Sequence, residues 1–368
     1  MSLQTIDKSL LTKLLNQNFG EEIFQNWEKT EHLSVKVAVG SAVSILAAEA
    51  FLSQQKTILL ITDDKEDSHY TTTEMEELVG EENVLHLPNS YTEPYQEERT
   101  KNANLVLRTE VINQLNLNNK QKIIVAHISA LNEKVLKKED FKMISHRIKT
   151  GEKLDFDFTE ELLNQFHFNL TDFVSEPGEF AVRGGIVDVF SYSNEKPFRI
   201  TFFGNEIESI KTFDIETQLS VEKVDEFQLV SNINLSTQGE KVPFFDLLPS
   251  DSLIIIKNAY SCLDKIETFY QKAQNQFDKL SKTIKHREPH ELFLSSEEFS
   301  RCFQKFRTID FSNSPSSKII QLSQTPQPSF HKNFELLIED LITKKEQDYE
   351  VWISFSSEKQ KDRLTEII

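Results

Sequence analysis

Glycine is scarce in this 368-residue chain: there are 9, with 10 prolines, 2 tryptophans, 3 methionines and 2 cysteines. Two cysteines, Cys262 and Cys302, make neither a disulfide framework nor a zinc spacing, which points to a reducing cytoplasm. A stretch near the roughly 20 apolar residues needed to cross a bilayer is also lacking, so no membrane partner is expected. Positive charge is in short supply. Lysine and arginine number 41 against 59 acidic residues, a formal net charge of -18, which argues against a chain built to grip phosphate backbones. Strong nucleic-acid binding by this chain is therefore not expected.

What is present is globular. At 38% hydrophobic and 27% charged the chain can bury cores, and its length suggests two to four domains. The 28 phenylalanines carry no functional signal by themselves. Leu3, Ile6, Leu10 and Leu14 fall at helical spacing among charges, which reads as an amphipathic helix and not a signal peptide.

From residue 35 to 126 strand and helix patterns alternate. Apolar runs at 35–39, 57–62, 84–87 and 122–126 are separated by helical patterns at 41–54, 67–78 and 104–115, a βαβ series that predicts a parallel sheet. The loop after the first strand is where a nucleotide-binding protein places its phosphate cradle. Against the template G-x-x-x-x-G-K-[ST], the fixed positions are Val37, Ala42, Val43 and Ser44, so both glycines and the lysine are missing. Without them the backbone cannot approach the phosphates closely, and no cation reaches the β and γ phosphates. A later apolar strand, 253–256, runs into Lys257 and Asn258, which cannot hold Mg²⁺ as a carboxylate pair does. Cofactors are accordingly expected to be none, and the chain is not expected to be an enzyme.

Residues 176–213 are the most informative. Phe180 to Arg183 and Ile186 to Phe190 are β-rich and separated by Gly184-Gly185, a pair suited to a tight turn. In the next run, Arg199, Thr201 and Phe203 alternate with Phe198, Ile200 and Phe202, and Gly204-Asn205 offers a second reversal. This predicts an antiparallel meander with one core face and one face carrying arginine beside an aromatic ring. Such a face suits a protein interface, since a rigid ring and a planar guanidinium bury well. The alternative is that Arg183 and Arg199 neutralise acidic neighbours, because residues 151–220 hold five basic residues against fourteen acidic.

The same residues carry a resemblance. Residues 173–220, with Glu179-Phe-Ala-Val-Arg-Gly-Gly-Ile-Val-Asp-Val-Phe190 and Phe198-Arg-Ile-Thr-Phe-Phe-Gly204, resemble the second domain of the bacterial transcription-repair coupling factors, a domain that family shares with the excision-repair protein UvrB. The resemblance extends more loosely from about residue 35. It implies a degenerate RecA-like, UvrB-like parallel-sheet α/β lobe with an inserted antiparallel β-rich α+β domain. In the family that domain docks the damage sensor UvrA through positions matching Arg183, Arg199 and Phe203. The full-length parent would also engage RNA polymerase and double-stranded DNA and would be an ATP-driven translocase. The rival readings are a UvrB-like helicase or ATPase and a DNA-binding module.

The resemblance and composition divide the chain into a lobe over 1–148, the docking insert over 149–220, a return to the lobe over 221–322, and a linker with the start of a further α/β domain over 323–368. A charged helix is expected around Lys134, Lys137 and Lys138, and others over 158–166 and 263–280. A helix over 334–345, a strand over 349–354 and a helix from 358 would not close a core, which suggests a piece of a longer protein. Tyr91 and Tyr95 could stack on bases, although Glu93, Glu97 and Glu98 favour an ordered loop. His286 and His290 have a zinc-like spacing, but Pro289 breaks the helix that such a pair needs.

Overall fold

The computed structural model describes residues 20–36, 39–90, 93–95, 102–117, 120–233, 239–280, 286–312, 318–322, 324–331, 333–351, 353, 355 and 357–367. The N-terminal amphipathic pattern, Val37 and Tyr91 lie outside the described residues.

The chain runs through β1 (His32–Lys36), helix Ala42–Gln54, β2 (Ile58–Thr62), helix Lys65–Val79, β3 (Val84–Leu87), helix Asn102–Leu117 and β4 (Ile123–His127). Next come β5 (Val135–Leu136), β6 (Ser145–Lys149), helix Phe156–Gln165, β7 (Asn169–Leu170), β8 (Glu179–Arg183), β9 (Ile186–Val189), β10 (Phe198–Phe203), β11 (Glu206–Phe213) and β12 (Ser220–Val224). The chain returns through β13 (Glu226–Val230), β14 (Lys241–Val242), β15 (Leu253–Ile256), helix Ala259–Phe277, helix Ser296–Phe303, β16 (Arg307–Asp310) and β17 (Lys318–Gln321).

Seven strands form one sheet in the order β17-β1-β16-β15-β2-β4-β3, and every pairing in it is parallel. Its central strands β2, β4 and β15 are buried at every residue, as expected when helices cover both faces. Alternation divides their side chains. Leu59, Ile61, Ile124 and Ile254 join one apolar cluster, while Ile58, Leu60, Ile123 and Ile255 join the other with Trp27, Leu46 and Met75.

The second sheet has six strands in the order β12-β11-β10-β9-β8-β7. Its apolar face, with Phe180, Val187, Ile200 and Ile207, packs with Leu162 and Leu163 of helix Phe156–Gln165. Asp155 starts that helix by accepting a hydrogen bond from the Asp157 amide at 2.9 Å. These side chains belong to the same cluster as Leu59 and Ile254, so the two sheets share one continuous core. The antiparallel pair β6–β13 brackets the insertion, and stacked Phe198 and Phe227, 4.1 Å between ring centroids, tie it to the meander.

Three expectations differ from what is seen. Around Lys134, Lys137 and Lys138 the chain forms not one helix but the short strand β5, followed by helix Lys138–Met143. Val135 and Leu136 are buried and pair with β14, and that tertiary pairing outweighs the local charge pattern. The described residues 349–351 and 353 are not in a strand, while 352 and 354 of the expected strand lie outside the described residues. Helix Phe334–Glu346 likewise buries none of its residues. Helix Ala259–Phe277 begins four residues before the expected start, because Asn258 Oδ1 accepts from the Ser261 amide and caps it.

Candidate functional site

The two hairpins of the meander follow from their turns. Gly184 and Gly204 have φ of +60° and +58°, a region costly for other residues, and they bring β8 against β9 and β10 against β11. Register then fixes which side chains share a face. Ala181 lies opposite Asp188, Asp188 opposite Arg199, Arg199 opposite Lys211, and Lys211 opposite Lys223, so one rung crosses five strands. Arg183 and Thr201 both face Ile186 one rung away, and Phe203 lies beyond them opposite Glu206.

The structure therefore puts Arg183, Arg199 and Phe203 on one face, but in three different states. Phe203 is 79% exposed, an unusual place for a phenylalanine. Arg183 is also exposed; its guanidinium lies 4.4 Å from the centre of the Phe173 ring, and Nη2 donates to the Asp172 carbonyl. Phe173 is itself exposed, and with Leu170, Ile215, Leu219 and Val221 it adds to the apolar surface of this domain.

Arg199 is largely covered. It donates from Nε to Asp188 Oδ1 at 2.7 Å, from Nη2 to Asp188 Oδ2 at 2.8 Å and from Nη1 to the Gln218 carbonyl at 3.1 Å. Its guanidinium sits 4.9 Å from the centre of the buried Phe213 ring. The Asp188 hydrogen bonds raise its pKa above the ordinary arginine value despite partial burial. Asp188 is buried, and its Oδ2 also lies 3.8 Å from Arg183 Nη1. Arg199 thus neutralises an acidic neighbour, on the face it shares with Arg183 and Phe203.

Sequence reasoning missed Asp188, Phe173 and Gln218. A signal for Asp188 did exist: an acidic residue inside the apolar run 186–190, at the parity of Ile186, belongs on the polar face. Phe173 and Gln218 come from loops, where register gives no guidance.

The residues at the expected phosphate-loop positions are equally specific in their contacts. Ala42 and Val43 begin helix Ala42–Gln54 and are buried, with Val43 packed into the core cluster on that side of the sheet. Ser44 Oγ donates to Glu74 Oε2 at 2.5 Å and Ser41 Oγ to Glu74 Oε1 at 2.6 Å. A carboxylate therefore sits at the helix N-terminus, where a phosphate would need to approach. Lys257 Nζ donates to Asp67 Oδ1 at 2.6 Å and to Thr71 Oγ1 at 2.8 Å, while Asn258 is spent as a cap.

Two carboxylates near that strand end, Asp63 and Asp310, also serve the fold. Asp63 accepts from Ser261 Oγ, and Asp310 accepts from the Ser312 amide and hydroxyl, each at 2.8 Å. Burial pushes the Cys262 thiol up to about 12, leaving it a poor nucleophile. Among the described residues no group of three or more His, Cys, Asp or Glu side chains is arranged to hold a metal ion, His286 and His290 included. Tyr95 is structural: its hydroxyl donates to the Arg287 carbonyl at 2.9 Å, and its ring meets Phe277 and Phe293. No helix of the described residues is long and apolar enough to cross a membrane.

These features define a class: a seven-stranded parallel α/β lobe that carries a β-rich interaction domain. Residues 147–234 match the UvrB interaction domain family. The chain is similar to the transcription-repair coupling factors, the resemblance that residues 173–220 carry. It is 30% identical over 183 residues to the transcription-repair-coupling factor of Bacillus subtilis, a stretch covering 50% of this chain and 16% of that protein. It is 33% identical over 147 residues to that of Myxococcus xanthus (40% and 12%), and 25% identical over 276 residues to that of Staphylococcus aureus (74% and 22%). The matched stretches thus span less than a quarter of these relatives.

Proposed function

We propose that this chain is the UvrA-docking portion of a transcription-repair coupling protein, and that it recruits UvrA to lesions where RNA polymerase has stalled. The observation that carries this reading is the 79% exposed Phe203 on the same face as exposed Arg183, inside a matched UvrB interaction domain. A ring left in water is disfavoured unless a partner covers it, and an arginine beside it can pair with a partner carboxylate. In this reading residues 149–220 dock UvrA, residues 1–148 and 221–322 form the scaffold, and 323–368 lead towards further domains. The scaffold does not turn over nucleotide. Polymerase release and ATP-driven translocation on DNA belong to other parts of a longer, cytoplasmic parent.

The test is binding of the intact chain to UvrA by calorimetry. Phe203→Ala and Arg183→Ala each weaken binding tenfold or more, about 1.4 kcal/mol per decade, while Phe203→Ala leaves the melting temperature unchanged. Unaltered binding by a folded chain that carries both substitutions overturns the reading. Arg199→Ala is different, because its bidentate pair with buried Asp188 makes it lower both affinity and melting temperature.

A further inference from the structure

We propose that Asp188 is the positioning residue of the docking face: its buried carboxylate holds Arg199 and Arg183 in fixed orientations, so that the surface is preformed before a partner arrives. This rests on the docking function proposed above. A free arginine side chain has several rotatable bonds and loses that freedom on binding, which costs affinity. Arg199 has already lost it. Three of its five N–H donors are committed, to the two Asp188 oxygens and the Gln218 carbonyl, and Phe213 lies against its plane. The remaining two donors are left for an acceptor on a partner.

Arg183 is steered by the same group. Asp188 Oδ2 attracts its Nη1 from 3.8 Å while the Asp172 carbonyl and the Phe173 ring hold the other end and one face. Asp188 is suited to this work because Val187 and Val189 on either side of it point into the core, so its backbone cannot shift. The carboxylate also cancels one of the two arginine charges. A partner surface then needs acceptors placed to fit the fixed donors, not simply a dense negative patch.

Three readouts on the intact chain test this. Asp188→Asn keeps the shape but weakens the charge-assisted pair, and it lowers UvrA affinity tenfold or more at a salt concentration common to all variants. In an Arg183→Ala/Arg199→Ala background the same Asp188→Asn change has no further effect on affinity, because the side chains it acts through are gone. Nuclear magnetic resonance of the unmodified chain reports the preorganisation directly. The Arg199 Nε–H exchanges slowly and its two Nη groups are distinct, whereas exposed Arg363 averages. Folded Asp188→Asn that binds UvrA as the unmodified chain does overturns the inference while the docking function stands. So does an Arg199 side chain as mobile as Arg363, a result that needs no variant to fold. An unmodified chain that fails to bind UvrA overturns the docking function and this inference with it.

Discussion

At the C-terminal ends of the parallel strands, polar side chains are used up inside the chain: Glu74 holds two serines, Lys257 holds Asp67 and Thr71, and Asn258 caps a helix. On the meander the opposite holds at the rim, where Phe203 touches water, Lys211 and Lys223 face each other exposed, and two Arg199 donors stay open. Like charges directly opposite in a ladder are unfavourable, and an exposed ring gains nothing from folding. Both leave surface that a partner can cover. The lobe spends its polar groups at the strand ends inside the chain, and the meander leaves a ring and several cations exposed. The difference between the two sheets is thus a difference in what remains unsatisfied.

The largest expected effect tests the lobe's half of that comparison. Arg108 is buried on helix Asn102–Leu117; it donates to the carbonyls of Pro88, Ala130 and Glu133 and pairs with the Glu133 carboxylate at 3.5 Å. That one side chain ties the end of β3 to the segment after β4. Arg108→Met removes the hydrogen bonds to three carbonyls and the cation beside a buried carboxylate, which keeps its bond from the Ser90 amide, and it costs roughly 3–5 kcal/mol. Urea unfolding measures the loss, and UvrA affinity per folded molecule stays unchanged. A smaller loss accompanied by weaker docking would mean that the lobe's polar network belongs to the docking function after all.

Arg108 also shows where sequence reading stops. The parallel sheet was legible because β2, β4 and β15 are uninterrupted apolar runs, and the meander because period-2 alternation meets paired turn signals. The shared face of Arg199 and Phe203 was legible from parity alone. Parity cannot say that Arg199 is clamped and Phe203 is free, because that depends on Asp188 and Gln218 brought in from other strands and loops. Arg108 sits in a pattern that reads as an ordinary surface position of a helix, and its burial depends on three carbonyls distant in sequence. The short strand β5, found where a charged helix is expected, makes the same point, since a strand is a relation with a neighbour and the sequence shows only one side of it.

An intermediate effect comes from pH. His127, at the end of β4, is buried; its Nδ1 lies 2.7 Å from Ser129 Oγ and its Nε2 has no partner among the described residues. Burial first, then the charges of Lys65, His86, Arg108 and His69, lower its pKa to about 3. His86, stacked on His69, falls to about 4 through burial and the His69 charge. Unfolded histidines take protons near 6.5 and the folded ones refuse them, so stability is full above 6.5 and is lost as pH falls towards 4 and then 3. The slope reaches about 1.4 kcal/mol per pH unit for each histidine. Burial raises Glu49, Glu76 and Glu110 above the ordinary glutamate value, and these act in the opposite sense, gaining protons on folding and offsetting part of the loss. His127→Gln flattens the acid limb by one proton's slope. Unfolding free energies at several pH values check it, and an unaltered slope would show that His127 titrates normally.

The smallest effect is expected at Lys257, in the strand-end position where a nucleotide site would hold its metal, and smallness is what distinguishes it from a working one. Lys257→Ala removes a partly exposed ion pair with Asp67 and should cost roughly 1 kcal/mol or less, because exposed pairs lose much of their attraction to solvent. A lysine that served a ligand would instead show its loss in binding. Calorimetric titration of the unmodified chain with ATP and Mg²⁺ should show no saturable binding tighter than about 1 mM, near -4 kcal/mol. Lys257→Asp should not create such binding, although it puts a carboxylate back at the end of β15. The reason lies across the sheet's edge: the Glu74 carboxylate, held by Ser41 and Ser44, already occupies the helix N-terminus with negative charge, and buried Val43 offers no cation to replace it. A phosphate would have to break both serine hydrogen bonds and approach a like charge. Nucleotide binding by the unmodified chain would show that Glu74 moves aside, and the contrast between a closed lobe and an open docking face would fail at its first term.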